Sequence, residues 1–188
     1  SNNFGYLFEG EKTNLIIHSE NLTKSNWTIE NGVLLAFDDP DLFGDSFKNI
    51  NIKFVTNATI TVRSTGAFTE GLQYTISFFV KLQSGTLDQV SASVGGGSGV
   101  ILGDLLPTEY TRYSATVTAG AGATADISFI SSTKTANFLL LGIQVELDKL
   151  SSYIRTTSVT NTRPEDDCNI PYNLMGAGDP WSLSFSHF

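Results

Sequence analysis

The sequence predicts an all-β chain, an antiparallel β-sandwich of the jelly-roll type, and three observations predict it. Apolar residues recur at every second position in a series of short runs, which is how a strand divides its side chains between two faces. Turn signals, NG, FGD, TEG, QSG, GGGSG and AGAG, fall between those runs. The composition also lacks helix-forming Ala-Glu-Leu-Lys runs and is rich in Ser and Thr, with 17 Gly and 13 Phe but a single Met.

In chain order the strands read as TNLIIH (13–18), TIENGVLLAF (28–37), INIKFVT (50–56), TITVRS (59–64) and LQYTISFFVKL (72–82). QVSASV (89–94), TRYSATVT (111–118), TADISFI (124–130) and NFLLLGIQVEL (137–147) follow. Eight or nine strands at this spacing suit two packed sheets.

A shared buried face must be apolar in every strand that contributes to it. Tyr74, Ile76, Phe78 and Val80 alternate with Thr75, Ser77, Phe79 and Lys81. Val90, Ala92 and Val94 alternate with Gln89, Ser91 and Ser93, and Tyr113, Ala115 and Val117 with Arg112, Ser114 and Thr116. In the last strand Leu141, Ile143, Val145 and Leu147 point one way, and Gly142, Gln144 and Glu146 the other. The expected core is Ile76, Phe78, Val90, Tyr113, Val117, Ile127, Phe129, Ile143 and Val145.

The organisation expected is a lead-in at 1–12, the sandwich at 13–157 and an irregular tail at 158–188. The tail's WSLSFSHF alternates again, with Trp181, Leu183 and Phe185 on one face, as a closing strand or the first strand of a following module would.

At 188 residues the chain can bury a sizeable core without covalent help, and its single cysteine, Cys168, reads as a small packing residue. A formal charge of -8 opposes the basic footprint that nucleic acid selects. No run approaches the roughly 20 apolar residues needed for membrane insertion, and SNNFGYLFEG lacks the charged head and apolar run of a signal peptide.

Nucleophilic catalysis needs a histidine held against a serine, and only His18 and His187 are present, with no GxSxG elbow. His18 reads as a rim residue at the end of the first strand, facing away from Ile17. Asp38, Asp39, Asp41 and Asp45 cluster in FDDPDLFGDSF, but glycosidase acids flank a cleft from separate elements, so the cluster reads as a polar loop. Phe43 in a ligand position and Ile50 where a bidentate Glu belongs exclude an EF-hand and leave only a looser Ca²⁺ site. GGGSG lacks the Lys-Ser/Thr of a P-loop. The chain is therefore expected not to be an enzyme.

Sugars bind where an aromatic face stacks on the ring while amides, carboxylates and Arg take the hydroxyls. Phe79, Lys81, Gln89, Arg112 and Gln144 are those types on one predicted outward face, and an ordinary solvated sheet fits the same residues. Trp27 is assigned to packing under the N-terminal loop.

TNLIIHSENLTKSNW, GLQYTISFFVK, TRYSATVT and GIQVELDKLSSYIRTT with NTRPED, led by FGYLFEGEK, appear in this order over residues 5–167. Together they resemble the carbohydrate-binding-module-like jelly roll of tailed-bacteriophage virion proteins. The resemblance implies a non-enzymatic module of a tail fibre, receptor-binding protein or head fibre on the virion surface, assembled in the bacterial host cytoplasm and often trimeric. Its partners would be a host-surface glycan and other virion proteins, and the alternative is a trimerisation or capsid-decorating module without a ligand. No cofactor is required; a structural Ca²⁺ near the start and end of the sandwich is implied, for which Glu20 and Glu146 are placed. Tyr153 would plug the edge and Arg155 would face out. The apolar ends FGYLF and WSLSF also point to a homo-oligomer.

Overall fold

The computed structural model describes residues 9–36, 50–97, 99–102 and 108–166. The carboxylate cluster at Asp38, Asp39, Asp41 and Asp45, the runs FGYLF and WSLSFSHF, Cys168 and His187 lie outside the described residues.

Two five-stranded antiparallel sheets pack face to face, as the alternation predicts. One holds, in spatial order, β2 (Trp27–Glu30), β5 (Thr59–Thr65), β10 (Thr124–Ile130), β7 (Gln89–Val94) and β8 (Val100–Leu102). The other holds β3 (Gly32–Ala36), β4 (Ile50–Phe54), β11 (Asn137–Leu147), β6 (Gln73–Ser84) and β9 (Thr111–Thr118). A separate pair, β1 (Lys12–Asn14) with β12 (Asn161–Arg163), joins residues far apart in the chain.

Between the sheets lies a core that includes Ile76, Phe78, Val90, Val117, Ile127, Phe129, Ile143 and Val145, with Tyr113 packed against it. Its aromatic centre runs through Phe78, Phe129 and Phe138, with ring centroids 6.0 and 4.4 Å apart. Each such side chain contributes roughly 1.5–3 kcal/mol when fully buried.

Where the strands depart from the sequence reading, the backbone gives the reason. TIENGVLLAF is two strands in different sheets, because Asn31, at φ +64°, turns the chain from β2 into β3. Asparagine tolerates that left-handed conformation. At Gly32 a Cβ would meet Ile60 Cγ2 at 3.0 Å and Ile29 Cγ2 at 3.1 Å, so the NG pair meets two separate demands. TNLIIH forms ladder pairs only at its start, through β1. Beyond Asn14 the segment instead runs beside β11, donating from Leu15 N to Val145 O at 2.8 Å and accepting at Ser19 O from Ile143 N at 3.0 Å. β8 and β12 were not predicted, since three residues are too few to show an alternation.

The strand β11 also breaks its own period. Leu141 pairs with Phe79 and Gln144 with Ser77, so β11 has one extra residue there, and Gly142 absorbs it at φ +60°. The bulge reverses the phase: Phe138, Leu140, Ile143 and Val145 face the core, while Leu139 and Leu141 share the outer face with Gln144 and Glu146. The expectation that Leu141 points inward with Ile143 is corrected accordingly.

Substituting Gly142→Ala would force a Cβ into the left-handed region, and denaturant titration is expected to show a loss of about 1–2 kcal/mol. Ile143→Asp, one residue along on the inward face, is expected to leave no cooperative unfolding transition, because an unpaired carboxylate cannot be carried in that core.

Candidate functional site

The register of the second sheet sets Phe79 opposite Arg112 and Leu141, and Gln144 opposite Ser77, so Phe79, Lys81, Arg112 and Gln144 do share one outer face. Gln89 does not. It stands in β7 opposite Ile130 and is exposed on the other sheet, because alternation tells inside from outside but not which sheet a strand joins.

That face is covered by the chain's own segment at 148–156. Gln144 is 0% exposed: its Oε1 accepts from Ile154 N at 2.6 Å, and its Nε2 donates to Glu146 Oε1 at 2.9 Å and Ser151 Oγ at 3.2 Å. Glu146, also 0% exposed, accepts from Ser151 N at 2.8 Å and from Ser151 Oγ at 2.6 Å. Arg112 donates through Nη1 to Ser151 O at 2.8 Å and through Nη2 to Ser77 Oγ at 2.9 Å. Thr75 donates its hydroxyl to the carbonyl of Asp148.

The aromatic member is engaged as well. Tyr153 meets the Phe79 ring edge to face at 5.9 Å, and the Arg112 guanidinium lies 5.6 Å from the centre of the same ring. Burial draws Arg112 below its ordinary pKa, with Glu146 and then Glu9 pulling the other way. Lys81 sits at the margin of the covered area, 3.8 Å from Glu109 and over the Tyr110 ring. The predicted glycan face is thus largely a bed for the chain itself, in which Gln144 is fully buried and Arg112 half-buried.

Nor do Glu20 and Glu146 fit a calcium ion, which takes six to eight oxygen ligands. The groups around Glu146 are N–H and O–H donors, and Glu20 accepts from Tyr153 Oη at 3.1 Å and pairs with Arg155 Nε at 2.8 Å. Among the described residues no three His, Cys, Asp or Glu side chains gather as a metal site.

Beside the covered face opens a cleft of about 280 Å³, lined by His18, Glu20, Asn21, Lys24 and residues 155–158. Its two walls are bonded to each other: His18 N donates to Thr157 O at 2.7 Å, Ser19 N to Thr156 Oγ1 at 3.1 Å, and Thr156 N to Ser19 Oγ at 2.9 Å. The first wall is a tight turn, in which His18 O accepts from Asn21 N at 3.0 Å and from Trp27 Nε1 at 3.0 Å. Trp27 is buried beneath it, as the sequence suggested. His18 is not in a strand but in a left-handed turn at φ +54°, a conformation sparsely used outside glycine that the flanking bonds hold in place.

Tyr153 forms the joint between bed and cleft. Its hydroxyl shares a 2.7 Å hydrogen bond with Ser19 and donates to Glu20, and burial above all pushes its pKa up. Sequence reasoning missed the cleft because its walls stand more than 130 residues apart; the signal present was the polar punctuation HSENLTK and YIRTTS at the ends of apolar runs.

No family model and no curated protein matches this sequence. Solved structures do share its fold. The enzymatically active domain of tailspike protein 4 of bacteriophage CBA120 is similar over 72% of this chain at 14% identity and a TM-score of 0.55, and the match spans 21% of that tailspike chain. The CBM22-1 xylan-binding domain from Paenibacillus barcinonensis gives a TM-score of 0.52 at 15% identity, over 74% of this chain and 94% of that one. TmCBM61, solved in complex with β-1,4-galactotriose, gives 0.53 at 11% identity, over 72% and 99%. The fold is thus a jelly roll of the kind found in carbohydrate-binding modules.

The covered face carries two expected outcomes. Gln144→Ala strands the amide of Ile154 and is expected to cost roughly 1–3 kcal/mol by denaturant titration, whereas Gln89→Ala on the open face of the other sheet should stay within about 0.5 kcal/mol of the parent. Tyr153 gives a pH dependence. Its folded pKa lies above its unfolded value of about 10, so the stability linked to its protonation is complete below that pH and declines as the pH climbs toward the folded value. The stability gap between parent and Tyr153→Phe, followed by denaturation at increasing pH, is therefore expected to narrow above pH about 10.

Proposed function

We propose that the chain is a non-catalytic glycan-binding module of a bacteriophage structural protein, of the tail-fibre or receptor-binding kind. In this reading it is carried on the virion surface, assembles as a trimer and engages host-surface polysaccharide. The observation that carries the glycan part is the preformed cleft between residues 18–24 and 155–158, whose walls are hydrogen-bonded to each other before any ligand arrives. Prior ordering of a site lowers the entropy that binding must overcome.

The cleft offers what sugar hydroxyls need. Asn21 commits its Oδ1 to Thr23 N at 3.1 Å and Thr23 Oγ1 at 2.6 Å, which leaves its amino group as the donor, and Thr157 and Ser158 add hydroxyls. Support for the class of ligand comes from the fold shared with modules solved as a xylan-binding domain and with β-1,4-galactotriose. Support for the virion setting comes from the tailspike fold match together with the sequence resemblance.

A second reading, a subunit-contact or capsid-decorating module without a ligand, is favoured by Val33 and Leu35, 43% and 41% exposed on the outer face of the sheet-edge strand β3. The two readings separate on a panel of bacterial surface polysaccharides and plant-type glycans. Binding of the parent, weakened in the Asn21→Ala, Ser158→Ala double variant and unchanged in Gln89→Ala, is the expected result, with the length of the bound polymer unaltered on incubation. Absence of binding across the panel, with a stable oligomer by light scattering that Val33→Asp dissociates, would establish the decorating role instead. Shortening of the polymer would show an enzyme.

A further inference from the structure

The cleft has a feature that hydroxyl recognition alone does not explain. Among the described residues that line it, Lys24 and Arg155 bring two cations and Glu20 one carboxylate, in a chain whose formal charge is -8. The arrangement of that carboxylate is uneven. In the Glu20–Arg155 pair the glutamate side chain is 6% exposed and the arginine 35%, so the negative charge lies beneath and the positive charge lies toward the opening. The deeper carboxylate accepts from Tyr153 Oη as well, which fixes it and, through it, the aim of the guanidinium. Glu20 acts here as a support for a cation.

We infer that this cleft takes an anionic saccharide unit, a sugar ring bearing a carboxylate or a phosphate, with the acidic group against Arg155 and Lys24 and the ring hydroxyls against Asn21, Thr157 and Ser158. The inference rests on the reading of the chain as a glycan-binding module and narrows the ligand class. The physical argument has three parts. Among the described residues that line the cleft none is Phe, Tyr or Trp, so the stacking that gives neutral sugars most of their contact area is lacking, and charge must supply what stacking does not. A local excess of positive charge in a net acidic surface also concentrates anions there, since the field near a concave site follows its own lining groups more than the distant ones. Finally, His18 joins Asn21, Lys24 and Arg155 as a fourth nitrogen-bearing side chain of the lining, and its backbone sits at φ +54° held by the 2.7 Å bond to Thr157, a strained placement of the sort that persists where the surrounding structure over-determines it. The volume, about 280 Å³, is at the small end of ligand clefts, which run from roughly 300 Å³ upward, and suits one ring rather than a long groove.

Calorimetric titration of the intact chain tests this with four probes: trigalacturonate, its carboxyl-reduced neutral counterpart, mannose 6-phosphate and inorganic phosphate. Binding of trigalacturonate or of mannose 6-phosphate, with the reduced trisaccharide at least several-fold weaker and the difference shrinking as salt is raised, is the expected result. Which of the two binds identifies carboxylate or phosphate as the acidic group. Lys24→Gln, which changes an exposed side chain and none of the bonds that join the two walls, is expected to weaken the anionic probe about fivefold at an unchanged melting temperature while leaving the reduced trisaccharide where it was. His18→Asn, which keeps a residue that accepts the left-handed turn, reports separately on the imidazole. Equal affinity for the acidic and reduced trisaccharides, in the parent and in Lys24→Gln alike, overturns the inference and leaves the glycan-binding reading standing. Inorganic phosphate bound alone, with no saccharide probe bound, overturns it in favour of a bare ion site. Failure of every probe here, together with failure across the polysaccharide panel, overturns both.

Discussion

A carboxylate with no exposed surface organises the end of the molecule that carries the cleft. Glu146 stands next to the C-terminal end of β11 on the outer face of its sheet, 0% exposed, and a buried carboxylate is tolerable only when donors surround it. Ser151 supplies two of them and Gln144 a third, so the segment after β11 has to fold back over the strand it has just left. Gln144 then fixes the next step by accepting from Ile154 N. These bonds carry the chain past Tyr153, whose ring stands on Phe79, to Arg155, which meets Glu20. The bed, the covering segment and the wall of the cleft form one hydrogen-bonded sequence of consequences.

The other wall is attached by the same economy of polar groups. β4 pairs with β11 only along its first residues, Asn137 to Leu140, and beyond the Gly142 bulge the edge of β11 would be left with unpaired backbone groups. The N-terminal segment takes that place. Asn14, fully buried, acts as a side-chain substitute for a strand: its Oδ1 accepts from Val145 N at 3.1 Å and its Nδ2 donates to Ile143 O at 3.3 Å and Ile154 O at 2.9 Å. One amide thereby holds the first segment, the central strand and the covering segment together. The β1–β12 pair and the Arg163–Glu9 ion pair at 2.7 Å repeat the link between the two regions of the chain. Although the two segments that build the cleft are so far apart in the chain, these contacts cross between them.

Charge is distributed in keeping with this division. On the outer face of the first sheet Arg63 is held by Asp126 at 2.8 and 3.1 Å and by Glu30 at 2.7 Å, and the hydrogen bond it donates to Asp126 above all raises its pKa. That cation is absorbed by its neighbours across the strands, among Thr and Ser side chains such as Thr61 and Ser128, 3.1 Å apart. In the cleft, by contrast, Arg155 pairs with the more deeply buried Glu20 at 2.8 Å while Lys24 lines the same concavity.

The sequence by itself determined the β-sandwich, because period-two alternation is a property of each strand alone. TADISFI, QVSASV and TRYSATVT form strands with the bounds and inward faces that their residues indicate. The same local rule placed Phe79, Lys81 and Arg112 together on an outer face, and it put Gln144 there too. Alternation carries no information about neighbours, however, and the errors at Gln89, Leu141 and Asn31 have that origin. It could not assign Gln89 to the opposite sheet, detect that Gly142 inserts a residue and reverses the phase at Leu141, or show that NG at 31–32 passes the chain between sheets. Only the tertiary structure decided that the outer face of β11 is a dry bed for residues 148–156, and that His18 meets Thr157. Those outcomes depend on which polar groups find partners, within ten residues for Glu146 and Gln144 in the bed and across more than 130 for His18 and Thr157, and a buried carboxylate in need of three donors is a requirement of the folded chain that leaves no periodic trace in the sequence.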